Sequence, residues 1–194
     1  MATDLATRPM TTAEFLELAD EEGVTRELID GVLVEREVTT RNPKHTKATT
    51  RISKFLDNWL DEQTEIVGTV NSGEVRCRLG TDPDLIVGVD VVYYEGEEYE
   101  RQGEEQSFFD GPPVVAVEVL SPSDKHEEIV EKIRRYLSAG VKQVWIADPD
   151  FRNVTVYRTA EGGTLFNAGD ELAGDSELTR FRVRVEKLFS SGRS

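Results

Sequence analysis

Apolar residues recur at helical spacing over 43–62, where Ala48, Ile52, Phe55, Leu56 and Trp59 fall on one side of a 3.6-residue repeat. A long helix with one apolar stripe is expected there. By contrast, Val114-Val115-Ala116-Val117-Glu118-Val119-Leu120 is a short, almost wholly apolar run. It suits a strand buried on both faces of a sheet. Ser121-Pro122-Ser123 breaks the run, and Ser123 or Asp124 then caps a predicted helix through Ala139, which Gly140 ends. Ile129, Ile133, Tyr136 and Leu137 set the apolar side of that helix. A second buried strand is expected at 144–147, paired with one at 154–158 across a turn. Strand, helix and strand in this order predict a parallel pair with a right-handed crossover.

Elsewhere the pattern is less regular. Thr11 and Glu14 have capping-box spacing and predict a short helix through about Ala19. Residues 26–29 and 32–36 flank Asp30-Gly31, a dipeptide that favours a tight hairpin turn. Strands are expected at 65–70, 74–79 and 85–94. Residues 95–105 hold six acids and one arginine, which reads as a solvated hairpin or loop. Arginine alternates with apolar residues over 180–185, as in a half-exposed strand. With no repeat or long linker, the chain reads as one α/β domain over 1–194, its ends 1–9 and 190–194 flexible.

Composition narrows the function classes. The 194 residues are 38% hydrophobic and 8% aromatic, ordinary values for a globular protein. No apolar run approaches the roughly 20 residues of a membrane helix, and no export signal pattern is visible. A cytoplasmic protein without membrane contact is therefore expected. Cys77, the only cysteine, excludes an intrachain disulfide and fits a reducing compartment. Two histidines and one cysteine argue against zinc but leave room for a carboxylate-built site for a hard ion. The net charge of −15 opposes nucleic-acid binding by the chain as a whole, so the placement of basic residues matters more than their sum.

Two acids stand in apolar strands. Glu118 interrupts the run 114–120, and Asp90 lies between Val89 and Val91. Buried carboxylates in neighbouring strands repel each other unless a cation or a proton lies between them. A divalent metal satisfies both and supplies a Lewis acid; the alternative is that each acid pairs with an arginine or caps a backbone group. Lys132 sits at the edge of its helix's apolar face, within reach either of the strand ends or of Glu128 at i, i+4. Glu27 shares a strand face with Ile29, and His45 shares the apolar side of the helix at 43–62. Two basic stripes could track a phosphate backbone or simply be solvated: Lys44, Lys47, Arg51 and Lys54 along one helix side, and Arg180, Arg182 and Arg184 along one strand face.

These residues form an ordered series. Arg26-Glu27-Leu28-Ile29-Asp30-Gly31 is followed by Pro43-Lys44-His45, Val89-Asp90-Val91 and Val117-Glu118-Val119-Leu120-Ser121-Pro122-Ser123. Lys132, Tyr136, Gly140-Val141 and Val144-Trp145-Ile146-Ala147-Asp148-Pro149 complete it. The series resembles the bacterial restriction-endonuclease-like family labelled Uma-two, within the PD-(D/E)XK nuclease superfamily. The resemblance implies a mixed sheet flanked by helices, with Asp90 and Glu118 as metal-binding acids. The superfamily's lysine usually lies two residues after the second acid. Leu120 stands there in this chain, and the family's lysine maps to Lys132 on the next helix. Val89 also replaces a common proline before Asp90. Glu27 matches the family's N-terminal acid and His45 its helix-start histidine.

The expected function is a metal-dependent endonuclease acting on DNA, with Mg²⁺ or Mn²⁺ held by Asp90, Glu118 and the Val119 carbonyl, Glu27 as a further acid or second-ion ligand, and Lys132 and His45 as further catalytic candidates. A homodimer is compatible with cutting both strands. An inactive nuclease-fold binding module, or a hydrolase of a smaller phosphodiester, are the alternatives.

Overall fold

The computed structural model describes residues 8–19, 21–37 and 42–190. Most of the expected loose ends, 1–7 and 191–194, lie outside the described residues. The chain begins with α1 (Thr12–Leu16), the hairpin β1 (Val24–Ile29) and β2 (Val32–Glu37), and α2 (Pro43–Asp61). Next come β3 (Gly68–Thr81), β4 (Asp84–Glu95), α3 (Glu97–Glu105), β5 (Phe109–Asp110) and β6 (Val115–Val119). Then follow α4 (His126–Ser138), β7 (Gln143–Asp148), β8 (Asn153–Thr159), β9 (Gly162–Phe166), β10 (Glu171–Gly174), β11 (Leu178–Arg184) and α5 (Glu186–Phe189).

Local chemistry explains the element ends. The Thr11 hydroxyl accepts from the Glu14 N–H while the Glu14 carboxylate accepts from the Thr11 N–H, so α1 starts where the spacing predicts. Asp30 and Gly31 both have positive φ, +53° and +74°, as a two-residue hairpin turn of type I′ requires. Asn42 caps α2 by accepting the His45 N–H at 2.9 Å, and Pro43 occupies the first turn, where its missing N–H costs nothing.

Nine strands form one mixed sheet in the order β2-β1-β4-β6-β7-β8-β9, with β3 also alongside β4 and β5 alongside β3. β6 and β7 run parallel, in register from Val115–Gln143 to Val119–Ala147, and α4 connects them. β10 and β11 form a separate two-stranded sheet. The alternation along the central strands divides the core into two layers. Val117, Val119, Trp145 and Ala147 pack with Ile52, Leu56 and Trp59 of α2 and Phe181 of β11. Ala116, Val144 and Ile146 face the other way, against Ile133 and Tyr136 of α4.

Besides α1, which ends at Leu16 and not near Ala19 because Glu17 already closes it, three expected elements take a different form. Residues 97–105 form a helix, not a loop: Glu97, Glu98 and Glu100 occupy its first turn, where the helix dipole favours acids. Tyr99 anchors it against Tyr94, ring centroids 4.5 Å apart. α4 starts at His126 without a side-chain cap. Asp124 instead accepts the Ser121 N–H at 2.7 Å and closes the preceding turn.

The third difference matters for the site. The two strands expected at 65–79 are one strand, β3, interrupted by a β-bulge. Ser72 pairs with Val91 and Val75 with Val89, so Gly73 and Glu74 together oppose Asp90. Both bulge residues have positive φ, +100° and +61°. Along β4 the alternation slips there: Val87 and Val89 pack in the α4 layer, whereas Val91 and Tyr93 pack in the α2 layer. Bulges re-aim side chains in this way. Asp90 is the residue at the slip.

Cys77 lies wholly inside the α4 layer, and burial raises its thiol pKa to about 12. A thiolate is the reactive form. An aromatic disulfide reagent at pH 8 is expected to leave native Cys77 unmodified and to react fully in urea. Rapid labelling of native protein would contradict this burial.

Candidate functional site

β3 lies along β4 from Gly68–Glu95 to Thr81–Asp84, so β1 and β6 must share the other edge of β4. β1 meets that edge at Leu28–Ile86, and β6 meets it from Tyr93–Val115 to Val91–Val117. Between these contacts the sheet forks. Side chains replace the ladder bonds there: the Gly88 N–H donates to Glu27 Oε1 at 3.2 Å, and the Val119 N–H donates to Asp90 Oδ2 at 2.9 Å. The fork supplies the buried main chain with the acceptors it needs.

Helices from both layers fix the acids. On the α4 side, Glu118 Oε2 lies 2.9 Å from the Lys132 ammonium, and the Tyr136 hydroxyl donates to Glu118 Oε1 at 2.6 Å. On the α2 side, His45 Nε2 lies 3.2 Å from Asp90 Oδ2. Asp90 and Glu118 are only 5% and 7% exposed. Both nevertheless line one cleft of about 980 Å³, with Glu27, Val119 and Lys132 also in its wall. His45 stands outside that wall, buried in the core. Lys132 thus pairs with Glu118, not with Glu128 on its own helix. The lysine thereby carries a positive charge from α4 to Glu118 on β6.

Burial raises the Glu118 pKa, and repulsion from Asp90 adds to the rise; Lys132 and Tyr136 oppose it. Burial works against the charge on Lys132, but Glu118, Glu27 and Asp90 outweigh it and the pKa rises. Lys132 is therefore an ammonium at neutral pH. Burial and the Glu118 charge push Tyr136 well up, so its hydroxyl stays a donor. Tyr136→Phe keeps the packing and removes this donor from a buried carboxylate. A loss of about 1.5–3 kcal/mol in urea unfolding is expected; an unchanged midpoint would exclude the bond.

The two basic stripes lie outside the cleft wall. Lys44 pairs with Asp150 at 2.6 Å, and Arg51 donates to the Lys187 carbonyl and covers the Phe55 ring. Lys47, Lys54 and Arg180 are exposed. Arg182 pairs with Glu171, and Arg184 donates to the Gly169 carbonyl. The bases that do line the cleft, besides Lys132, are Arg26, Arg36, Arg76 and Lys125. Glu74, on the bulge, lines it too. Arg36 and Arg76 make contacts distant in sequence, with Glu128 and Phe15, which local spacing does not reveal. Tyr93 and Tyr94 are fully buried core residues. Among the described residues, no three His, Cys, Asp or Glu side chains form a metal-ligand cluster; Asp90 and Glu118 stand as a pair.

A mixed sheet flanked by helices, forked at a cleft lined by two buried acids and a lysine, is a restriction-endonuclease-like fold. A crystal structure of a putative nuclease belonging to DUF820 from Anabaena variabilis shares it, with a TM-score of 0.73 over 93% of this chain and 98% of that one. The two are 22% identical. The Uma2 family, described as putative restriction endonuclease, matches residues 12–185, and the chain belongs to that family. No curated protein matches the sequence.

Proposed function

We propose that the chain is a Mg²⁺-dependent endonuclease hydrolysing phosphodiester bonds in DNA. The observation that carries this reading is the convergence of Asp90, Glu118 and Lys132 on one open cleft. The acids suit a hard cation: they repel each other in a buried setting, and a cation between them removes the repulsion. Asp90, Glu118 and the Val119 carbonyl would hold Mg²⁺, an ion that retains several waters and needs few protein ligands; Mn²⁺ would use the same oxygens. When bound, the ion lowers the pKa of a water and polarises a phosphoryl oxygen.

The chain's own groups do the rest. Lys132, charged and beside Glu118, donates to the attacking water or to a phosphate oxygen as negative charge develops. Tyr136 holds the Glu118 carboxylate in place, and His45 does the same for Asp90. Glu27, bonded to the Gly88 N–H, braces the fork and adds negative charge near Lys132. The enzyme works in the cytoplasm, and cleavage of both strands of a duplex brings two such clefts together in a dimer.

One observation favours a second reading, a smaller phosphodiester as substrate or a module without catalysis: acids outnumber bases eight to five in the cleft wall. Supercoiled plasmid, single-stranded DNA and a panel of nucleotide diesters, each with Mg²⁺, Mn²⁺ or EDTA, separate the readings. Plasmid nicking that chelation abolishes is expected. Folded protein that cleaves none of them with either metal overturns the enzyme.

A further inference from the structure

The mouth of the cleft is crossed by a charge bridge that the reaction does not use. Arg36, at the end of β2, donates from a terminal guanidinium nitrogen to Glu128 Oε2 at 2.6 Å, and its Nε lies 3.7 Å from Glu27 Oε2. Glu128 belongs to the first turns of α4, 92 residues away in sequence, and also pairs with Lys125 at 3.2 Å. All four residues line the cleft that contains Asp90, Glu118 and Lys132. The bridge therefore joins the two walls, hairpin to helix, beside the acids.

Its chemistry resembles what a substrate would offer. A guanidinium recognises carboxylate and phosphate with the same planar fork of donors. Glu128 lies one turn before Lys132, so a phosphate entering from the mouth toward Lys132 passes the position its carboxylate now occupies. Arg36 is 47% exposed and Glu128 37%. At that exposure an ion pair is weak, and an incoming phosphate can displace it. The other arginines of the wall are committed elsewhere. Arg26 is bonded to Glu21, Glu35 and the Ala19 carbonyl, and Arg76 covers the Phe15 ring.

We propose that Arg36 is the phosphate-binding side chain at the cleft mouth, held in the free protein by Glu128 as a carboxylate stand-in for the substrate's phosphate. This rests on the nuclease reading above and identifies how the cleft takes a phosphodiester backbone despite its acidic wall. Arg36 swings from Glu128 to the phosphate and remains near Glu27; no covalent step is involved.

The test is binding of a short fluorescein-labelled DNA duplex in EDTA, read by anisotropy across a salt series. Glu128→Gln is expected to tighten binding about three- to fivefold. Arg36→Met is expected to weaken it and lower the log–log salt slope by about one. Glu131→Gln makes the same charge change on α4, outside the cleft wall, and controls for the overall field. The proposal requires that the Glu128→Gln gain exceed the Glu131→Gln gain and vanish in the Arg36→Met background. Equal gains, or a gain that survives without Arg36, overturn the latch and leave the nuclease reading standing. Absence of duplex binding by every variant, with nicking also absent, overturns both.

Discussion

Asp90→Asn is expected to reduce metal-dependent cleavage by at least about 10³-fold while leaving the fold intact. The asparagine carbonyl can still accept the Val119 N–H, so the bond that closes the sheet fork survives. What disappears is the negative charge. Asp90 is also one of the groups that raise the Glu118 pKa, so its neutralisation relieves repulsion, and stability in urea should hold or rise slightly. Calorimetric titration with Mn²⁺ should lose its binding signal in parallel with the loss of nicking. This combination separates a metal-ligand role from a structural one. Cleavage at the wild-type rate, or a large fall in stability with metal binding retained, would dismiss Asp90 as a ligand.

Much of this architecture was legible because strong local signals agreed. The apolar periodicity of 43–62, the Asp30-Gly31 turn and the apolar run around Glu118 each specify one element with little competition. The parallel β6–β7 pair follows from the order strand, helix, strand. Where local and tertiary signals competed, the reading slipped. The acidic stretch 95–105 looks like a solvated loop by charge, but the contact of Tyr99 with Tyr94 and the bond from the Asp110 N–H to Gln102 tie a helix there to the sheet. The break seen between two short strands was real, but it is a bulge within one strand. Its meaning lies in the partner strand, where it sets the direction of Asp90.

The site divides along the same line. Asp90, Glu118 and Lys132 could be picked out because each is a polar residue in, or at the edge of, an apolar pattern, where burial is costly without a partner. That they converge was an expectation of the fold. The basic stripes were equally visible, yet charge spacing along a helix or strand says nothing about which surface it lines, and these residues are not part of the cleft wall. Arg36 carried no local signal at all. Its partner Glu128 becomes a neighbour only when the β1–β2 hairpin and α4 close on opposite sides of the fork. Residues defined by such cross-wall contacts are those a single sequence hides.

Lys132→Met should lose both activity and stability, and the two losses can be separated. Without the ammonium, cleavage should fall on the order of 10²- to 10³-fold, as for removal of one preorganised donor at developing charge. Glu118 keeps Tyr136 but loses its counter-charge in a buried setting, which costs about 3 kcal/mol, the low end for a broken buried pair because the cleft admits some solvent. The pH dependence has a definite sign. Glu118 is already raised, and removing Lys132 raises it further, so the folded state binds its proton more tightly than the unfolded state does. The penalty is therefore absent below the unfolded pKa of about 4.3. It grows as pH rises from there to the folded value and is largest above it. Urea unfolding at a series of pH values should show the gap to wild type widening with pH. Adding Glu118→Gln should recover most of the stability and flatten that dependence, because a neutral amide can still accept from Tyr136. The double variant should remain inactive. A single variant as stable as wild type at every pH would mean that the lysine does not compensate Glu118. Full activity without it would remove Lys132 from the reaction.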